Sequence, residues 1–106
     1  MKFNVIDMLA TRGPSPGFHV ASEQNLRIEV RNLNAGERVE AFRYAGNVLL
    51  ICFGGRFHVT TGGDTETLTE HDQLLVSENS WTQIGCETKG TLQLVWSPPF
   101  AATETA

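Results

Sequence analysis

The sequence predicts an all-β chain of the sandwich or barrel class, and three observations carry that prediction. Short runs rich in apolar and β-branched residues recur along the chain, several with strict alternation. Turn signals built from Gly, Asn, Asp and Pro separate them at short intervals. No segment shows a helix-length period; a helical turn near residues 4–10 is the one helical candidate.

The elements follow in order. "FNVIDM" (3–8) reads as a weak first strand, and "TRGPSPG" (11–17) as a loop, because its prolines and glycines cannot continue a ladder. "NLRIEVRNL" (25–33) alternates, with Leu26, Ile28 and Val30 on one face and Arg27, Glu29 and Arg31 on the other. "NAGE" (34–37) turns the chain into a strand at "RVEAFRY" (38–44), and "AGN" turns it again. "VLLICF" (48–53) is apolar without alternation, the mark of a strand covered on both faces. "RFHVTT" (56–61), "TETL" (65–68), "QLLVS" (73–77), "WTQIG" (81–85) and "TLQLVW" (91–96) complete the strands, with a tight turn at "GGD" (62–64). "SPPF" ends the last strand, and 100–106 reads as a frayed tail.

At 106 residues the chain is long enough for one small core. Its 41% hydrophobic and 19% charged content fits a globular rather than a disordered chain. The net charge is −4 and the Lys and Arg residues are scattered, so neither nucleic acid nor an anionic membrane surface is an expected partner. No apolar run reaches membrane-spanning length, and "MKFNVIDML" lacks the apolar core of a signal peptide, so a cytoplasmic location is expected. Cys52 and Cys86 sit in no metal spacing and read as buried apolar residues; a bridge between them stays open.

From Leu33 to Pro99 the spacing resembles that of the cupin family. The first cupin motif runs Gly, five residues, His-x-His, three or four residues, Glu, six residues, Gly; at those intervals stand Gly36, Phe42, Tyr44, Val48 and Gly55. The second runs Gly, five residues, Pro-x-Gly, two residues, His, three residues, Asn; its positions fall on His71, Ser77, Asn79, Thr82 and Cys86. The resemblance implies a cupin-type double-stranded β-helix, a jelly-roll barrel, as a single domain over 1–106. Its barrel core spans about 25–99, preceded by a strand and loop over 1–24. It also implies that Phe42, Tyr44, Val48 and Thr82 point into the barrel where the family places its metal ligands. Phe42 and Val48 carry no donor atom, so no metal and no cofactor is expected.

Period two extends the lining to Arg38 and Glu40, to Leu50 and Cys52, and to Ile84 and Cys86. A ligand pocket would then comprise Arg38, Glu40, Phe42, Tyr44, Val48, Thr82 and Ile84. Three readings stand: a small-molecule-binding, non-catalytic barrel; a metal-independent isomerase, cyclase or lyase with Tyr44 and Glu40 as acid and base; and a plugged barrel serving as a structural or interaction dimer. For Glu40 the competing expectation is an ion pair with Arg38. Of the histidines, His19 is expected on a loop or edge, His58 outward and His71 in a surface turn, with no shared metal. Trp81 is expected outward, where an aromatic carbohydrate platform is the sharper alternative, and Trp96 in the core beside Leu92 and Leu94. Leu49, Ile51 and Phe53 form an outward apolar stripe, for which a second copy in a homodimer is the expected cover.

Overall fold

A computed structural model describes residues 18–23, 26–97 and 104–105. Its strands are β1 (Phe18–Glu23), β2 (Leu26–Leu33), β3 (Arg38–Arg43), β4 (Val48–Thr61), β5 (Asp64–Leu68), β6 (Gln73–Val76), β7 (Thr82–Trp96) and β8 (Glu104–Thr105). All pairings are antiparallel. The order β1-β2-β7-β3-β8 forms one path, and β4 joins it through β7 while also carrying β5 and β6. The expected strand at 3–8 and loop at 11–17 lie outside the described residues. β1 has no counterpart in the sequence reading. The tail expected to fray returns at Glu104–Thr105 to pair with Phe42 and Arg43.

Two pairs of expected strands are each one continuous strand. "VLLICF" and "RFHVTT" are the halves of β4, and "WTQIG" and "TLQLVW" the halves of β7. The two long strands run against each other from Val48–Trp96 to Thr61–Thr82, and the register shifts near Gly54 and Arg56. There the backbones nearly touch. A Cβ on Gly90 would lie 2.0 Å from the Gly54 carbonyl oxygen, and one on Gly55 would lie 2.5 Å from Gly90 Cα. The glycines read as strand breakers instead let both strands bend together, so each half of β4 and β7 serves a different wall of the barrel.

The motif spacing has a backbone counterpart. Gly36 and Gly55 have φ of 87° and 83°, and His71 and Asn79, at the two glycine positions of the second motif, have φ of 73° and 60°. All four glycine positions of the two motifs are therefore left-handed, a conformation that Gly adopts freely and Asn tolerates. The His71 turn is clasped from both sides. The Thr69 N–H and hydroxyl both donate to Asp72 Oδ2, at 2.9 and 3.1 Å, and the His71 N–H donates to the Cys52 carbonyl at 2.8 Å.

The core gathers Leu50, Cys52, Phe57, Val59, Ile84, Leu92 and Leu94, each at most 1% exposed, with Phe42, Tyr44, Val48 and Trp96 at one end. Cys52 and Cys86 are both buried and are free thiols. Trp81 faces outward at 44% exposure, with the Arg43 guanidinium 5.5 Å from its ring centre. His58 also faces outward, bonded to Thr67 and Glu87. His19 lies on β1, the outermost strand of its path, opposite Val30.

Candidate functional site

Four of the expected lining positions converge from three strands. Phe42 and Tyr44 arrive on and just after β3, Val48 opens β4 and Thr82 opens β7. All are buried, with Ile84 beneath them. They form a packed cluster. The Phe42 ring lies 5.0 Å from that of Trp96, tilted by 54°, and Tyr44 meets Trp96 edge-on at 4.9 Å. The Tyr44 hydroxyl donates to the Ser97 carbonyl. The fully buried Thr82 donates to the Ser80 carbonyl at 3.1 Å, with the Thr61 hydroxyl 3.4 Å away. Burial pushes the Tyr44 phenol above its usual range, with Arg27 pulling it partly back.

Arg38 and Glu40 do not join this cluster. Arg38 and Val39 pair with Gly85 and Ile84, but the next pair is Phe42 with Thr82, so Glu40 and Ala41 together oppose Gln83. This β-bulge inserts one residue and inverts the alternation. Val39 therefore packs in the core while Arg38 and Glu40 face solvent. They line an outer groove of about 560 Å³ with His58, Thr60 and Gln83. A neighbouring groove of about 820 Å³ runs past Thr60, Gln83, Asn79 and Trp81. Tyr44 and Glu40 thus lie on opposite faces of the barrel wall. Among the described residues no ion pair joins Arg38 to Glu40.

A polar constellation that the sequence reading missed faces inward from β2. The register sets Arg27 opposite Trp96, Glu29 opposite Leu94 and Arg31 opposite Leu92. Opposed residues share a face, and the β7 partners are core residues, so the charged face of β2 is the inner one. Glu29 lies 2.8 Å from Arg27 Nη2 and 3.9 Å from Arg31 Nε. Side-chain exposure is 45% for Arg27, 6% for Glu29 and 28% for Arg31, which places the carboxylate deep and the guanidiniums closer to solvent. Burial raises the Glu29 carboxyl above its usual range, and the two arginines offset this only in part. Arg27 also lies 6.0 Å from the Trp96 ring centre. The alternation of "LRIEVR" reveals two faces but not which one meets Leu92, Leu94 and Trp96; that depends on the pairing offset.

The opposite face of this wall is mostly apolar. Ile28, Val95, Leu49 and Leu75 stand in one cross-strand row, and Val30, Gln93, Ile51 and Gln73 in the next. Ile28 and Val30 are buried, whereas Leu75 and Phe53 are 64% and 40% exposed. The "VLLICF" run is thus fully buried on its inner side only; Leu49 and Ile51 are half-buried.

Solved structures show the same fold. An uncharacterised protein with a double-stranded β-helix domain from Klebsiella pneumoniae aligns at TM-score 0.83 and 14% identity, covering 99% of this chain and 96% of its own. An RmlC-like cupin from Shewanella frigidimarina aligns at TM-score 0.73 and 20% identity, covering 84% and 83%. The salicylate 1,2-dioxygenase of Pseudaminobacter salicylatoxidans aligns at TM-score 0.76 and 18% identity, with 95% of this chain spanning 36% of that one. No protein-family model and no curated protein matches the chain. The class is thereby defined: an all-β, cupin-type double-stranded β-helix. The cupin resemblance drawn from the sequence holds at the level of fold.

Proposed function

We propose that this protein is a small-molecule-binding cupin barrel without the family's metal chemistry. One observation carries the metal-free part of the reading: the positions where cupins place metal ligands hold packed side chains whose hydroxyls are already hydrogen-bonded. Phe42 and Val48 offer no donor, and the hydroxyls of Tyr44 and Thr82 are already given to backbone carbonyls. These residues do not fit a divalent ion, which needs several converging nitrogen or carboxylate ligands. Among the described residues, no group of three or more His, Cys, Asp or Glu is placed to share one. The acid–base alternative loses support because Glu40 opens on the outer groove while Tyr44 is buried on the inner face. The Arg27, Glu29 and Arg31 row supports binding instead, as a charged group on the inner face whose guanidiniums are partly exposed. Elemental analysis of the purified protein after incubation with Fe(II), Mn(II) and Zn(II) tests the metal claim. Far less than one equivalent is expected after desalting, and a stoichiometric ion would overturn the reading.

The outer apolar rows favour a second copy as partner. Among the described residues β6 pairs with β4 only, so exposed Leu75 stands at a sheet edge opposite Leu49, with exposed Phe53 further along β4, an arrangement suited to a two-fold interface. Sedimentation at micromolar concentration is expected to give the dimer mass, and Leu75→Asp to give the monomer. A monomeric parent protein would remove the proposal.

A further inference from the structure

A second polar row lies on the outside of the barrel, beside Trp81. Trp81 and Gln83 flank buried Thr82 and so share the outer face. Gln83 stands opposite Thr60, and Thr60 opposite Thr65, which sets one polar row across β7, β4 and β5. We propose that the groove of about 820 Å³ along this row is a binding site for a neutral saccharide, with Trp81 as its stacking platform. The site lies outside the barrel interior and does not depend on what the interior binds.

The groove is hollow for local reasons. Ala41 presents only a methyl group on β3, and the Gly62–Gly63 turn carries no side chain. A Cβ on either glycine would meet nothing within 4 Å. Trp81 lines the hollow and is 44% exposed. The Arg43 guanidinium, 5.5 Å from the ring centre, steadies the indole without being part of the lining. Asn79 adds an independent observation. It stands at a glycine position of the second motif with φ of 60°, and its N–H donates to the Tyr44 carbonyl at 2.7 Å. A left-handed backbone favours glycine, yet this chain carries there a carboxamide that lines the groove.

The lining selects the class of ligand. None of the described lining residues is charged, so a charged ligand would find no counter-charge to offset its lost hydration. The neighbouring groove, by contrast, carries Arg38, Glu40 and His58. Beside the indole stand the hydroxyls of Thr60 and Ser80 and the carboxamides of Asn79 and Gln83. The Thr60 hydroxyl already meets that of Thr65 at 3.0 Å. Among the described residues neither carboxamide has a hydrogen-bond partner. Each carboxamide can donate and accept at once, as each sugar hydroxyl must. A sugar ring also has an apolar C–H face, which stacks on an indole while the hydroxyls at its rim bond the amides. The groove volume falls within the usual range of small-ligand sites.

The test titrates cellobiose, maltose and lactose into the isotope-labelled full chain and follows backbone, carboxamide and indole N–H signals by NMR. At least one disaccharide is expected to give saturable shifts centred on the Trp81 indole and the carboxamides of Asn79 and Gln83. Glucuronate, an anionic sugar, is expected to bind more weakly than that disaccharide. Trp81→Ala is expected to weaken it roughly tenfold to a hundredfold, the range for the apolar surface of one aromatic ring. Trp81→Phe keeps a smaller platform and is expected to fall between. Ala41→Trp fills the floor of the groove and is expected to abolish saturable binding. Trp81 and Ala41 both lie outside the core cluster, and parent-like core signals verify that each variant is folded. No saturable response to any of the disaccharides up to ~100 mM would overturn the proposal, since affinity that weak leaves no recognition to explain. Unchanged affinity in folded Trp81→Ala would overturn it too, as would glucuronate binding more tightly than every disaccharide. Shifts centred on Phe42 and Trp96 would place the sugar inside the barrel and equally overturn the outer site.

Discussion

Replacing Gly90 by alanine probes the crossing that lets two long strands build both walls of the barrel. The added Cβ would sit 2.0 Å from the Gly54 carbonyl oxygen and 2.5 Å from Gly54 C and Gly55 Cα. Ordinary contact begins near 3.4 Å, so the strands must separate by about 1.4 Å at this point. Neither can yield alone, because β4 is also tied to β5 and β6, and β7 to β2 and β3. The clash is against backbone rather than a flexible side-chain tip, so the cost belongs at the upper end for overpacking, about 3 kcal/mol or more. For a domain of this size that lowers the melting temperature by roughly 12–24 °C. Gly54→Ala is the control: its Cβ meets nothing within 4 Å and its backbone is not left-handed. It is expected to change stability by no more than about 1 kcal/mol, in either direction. Thermal unfolding followed by circular dichroism compares the two. If Gly90→Ala melts within about 4 °C of Gly54→Ala, a spacing equivalent to about 1 kcal/mol or less, the close crossing is not what holds the strands in register.

Other expectations follow from the same geometry. Phe42→Ala removes a ring packed against Trp96 and should cost about 3–5 kcal/mol by urea denaturation; a loss under about 1 kcal/mol would mean that the cluster is loose. Burial raises the Glu29 carboxyl, so the folded chain holds a proton that the unfolded chain has released between the usual carboxylate value and the raised one. Stability should therefore fall as pH rises through that window, and Glu29→Gln should flatten the slope; an unchanged slope would refute the assignment. Asp72 behaves in the opposite sense. The backbone N–H and hydroxyl of Thr69 hold its carboxyl below the usual range, so its contribution is present above that range and is lost as pH falls through the lowered value. Asp72→Asn should remove that part of the acid-side loss, as read from unfolding curves at successive acidic pH values.

The sequence by itself determined the fold class. Alternation and turn chemistry located most of the strands, and cupin spacing located the two motifs, because the period of a strand and the φ preference of a turn are local properties. The inward placement of Phe42, Tyr44, Val48 and Thr82 followed from the cupin resemblance, and the period of two then gave that of Ile84 and the outward placement of Trp81 and His58. What only the tertiary structure decided depends on registers and on contacts between distant segments. A one-residue bulge after Val39 turned Arg38 and Glu40 out of the barrel, since every position upstream of an inserted residue changes face. The pairing of β2 with β7 turned Arg27, Glu29 and Arg31 in, although alternation alone fits either orientation. The meeting of Gly54, Gly55 and Gly90 made two long strands where local signals indicated four short ones, because a glycine that ends a strand in isolation lets two strands cross when they bend together.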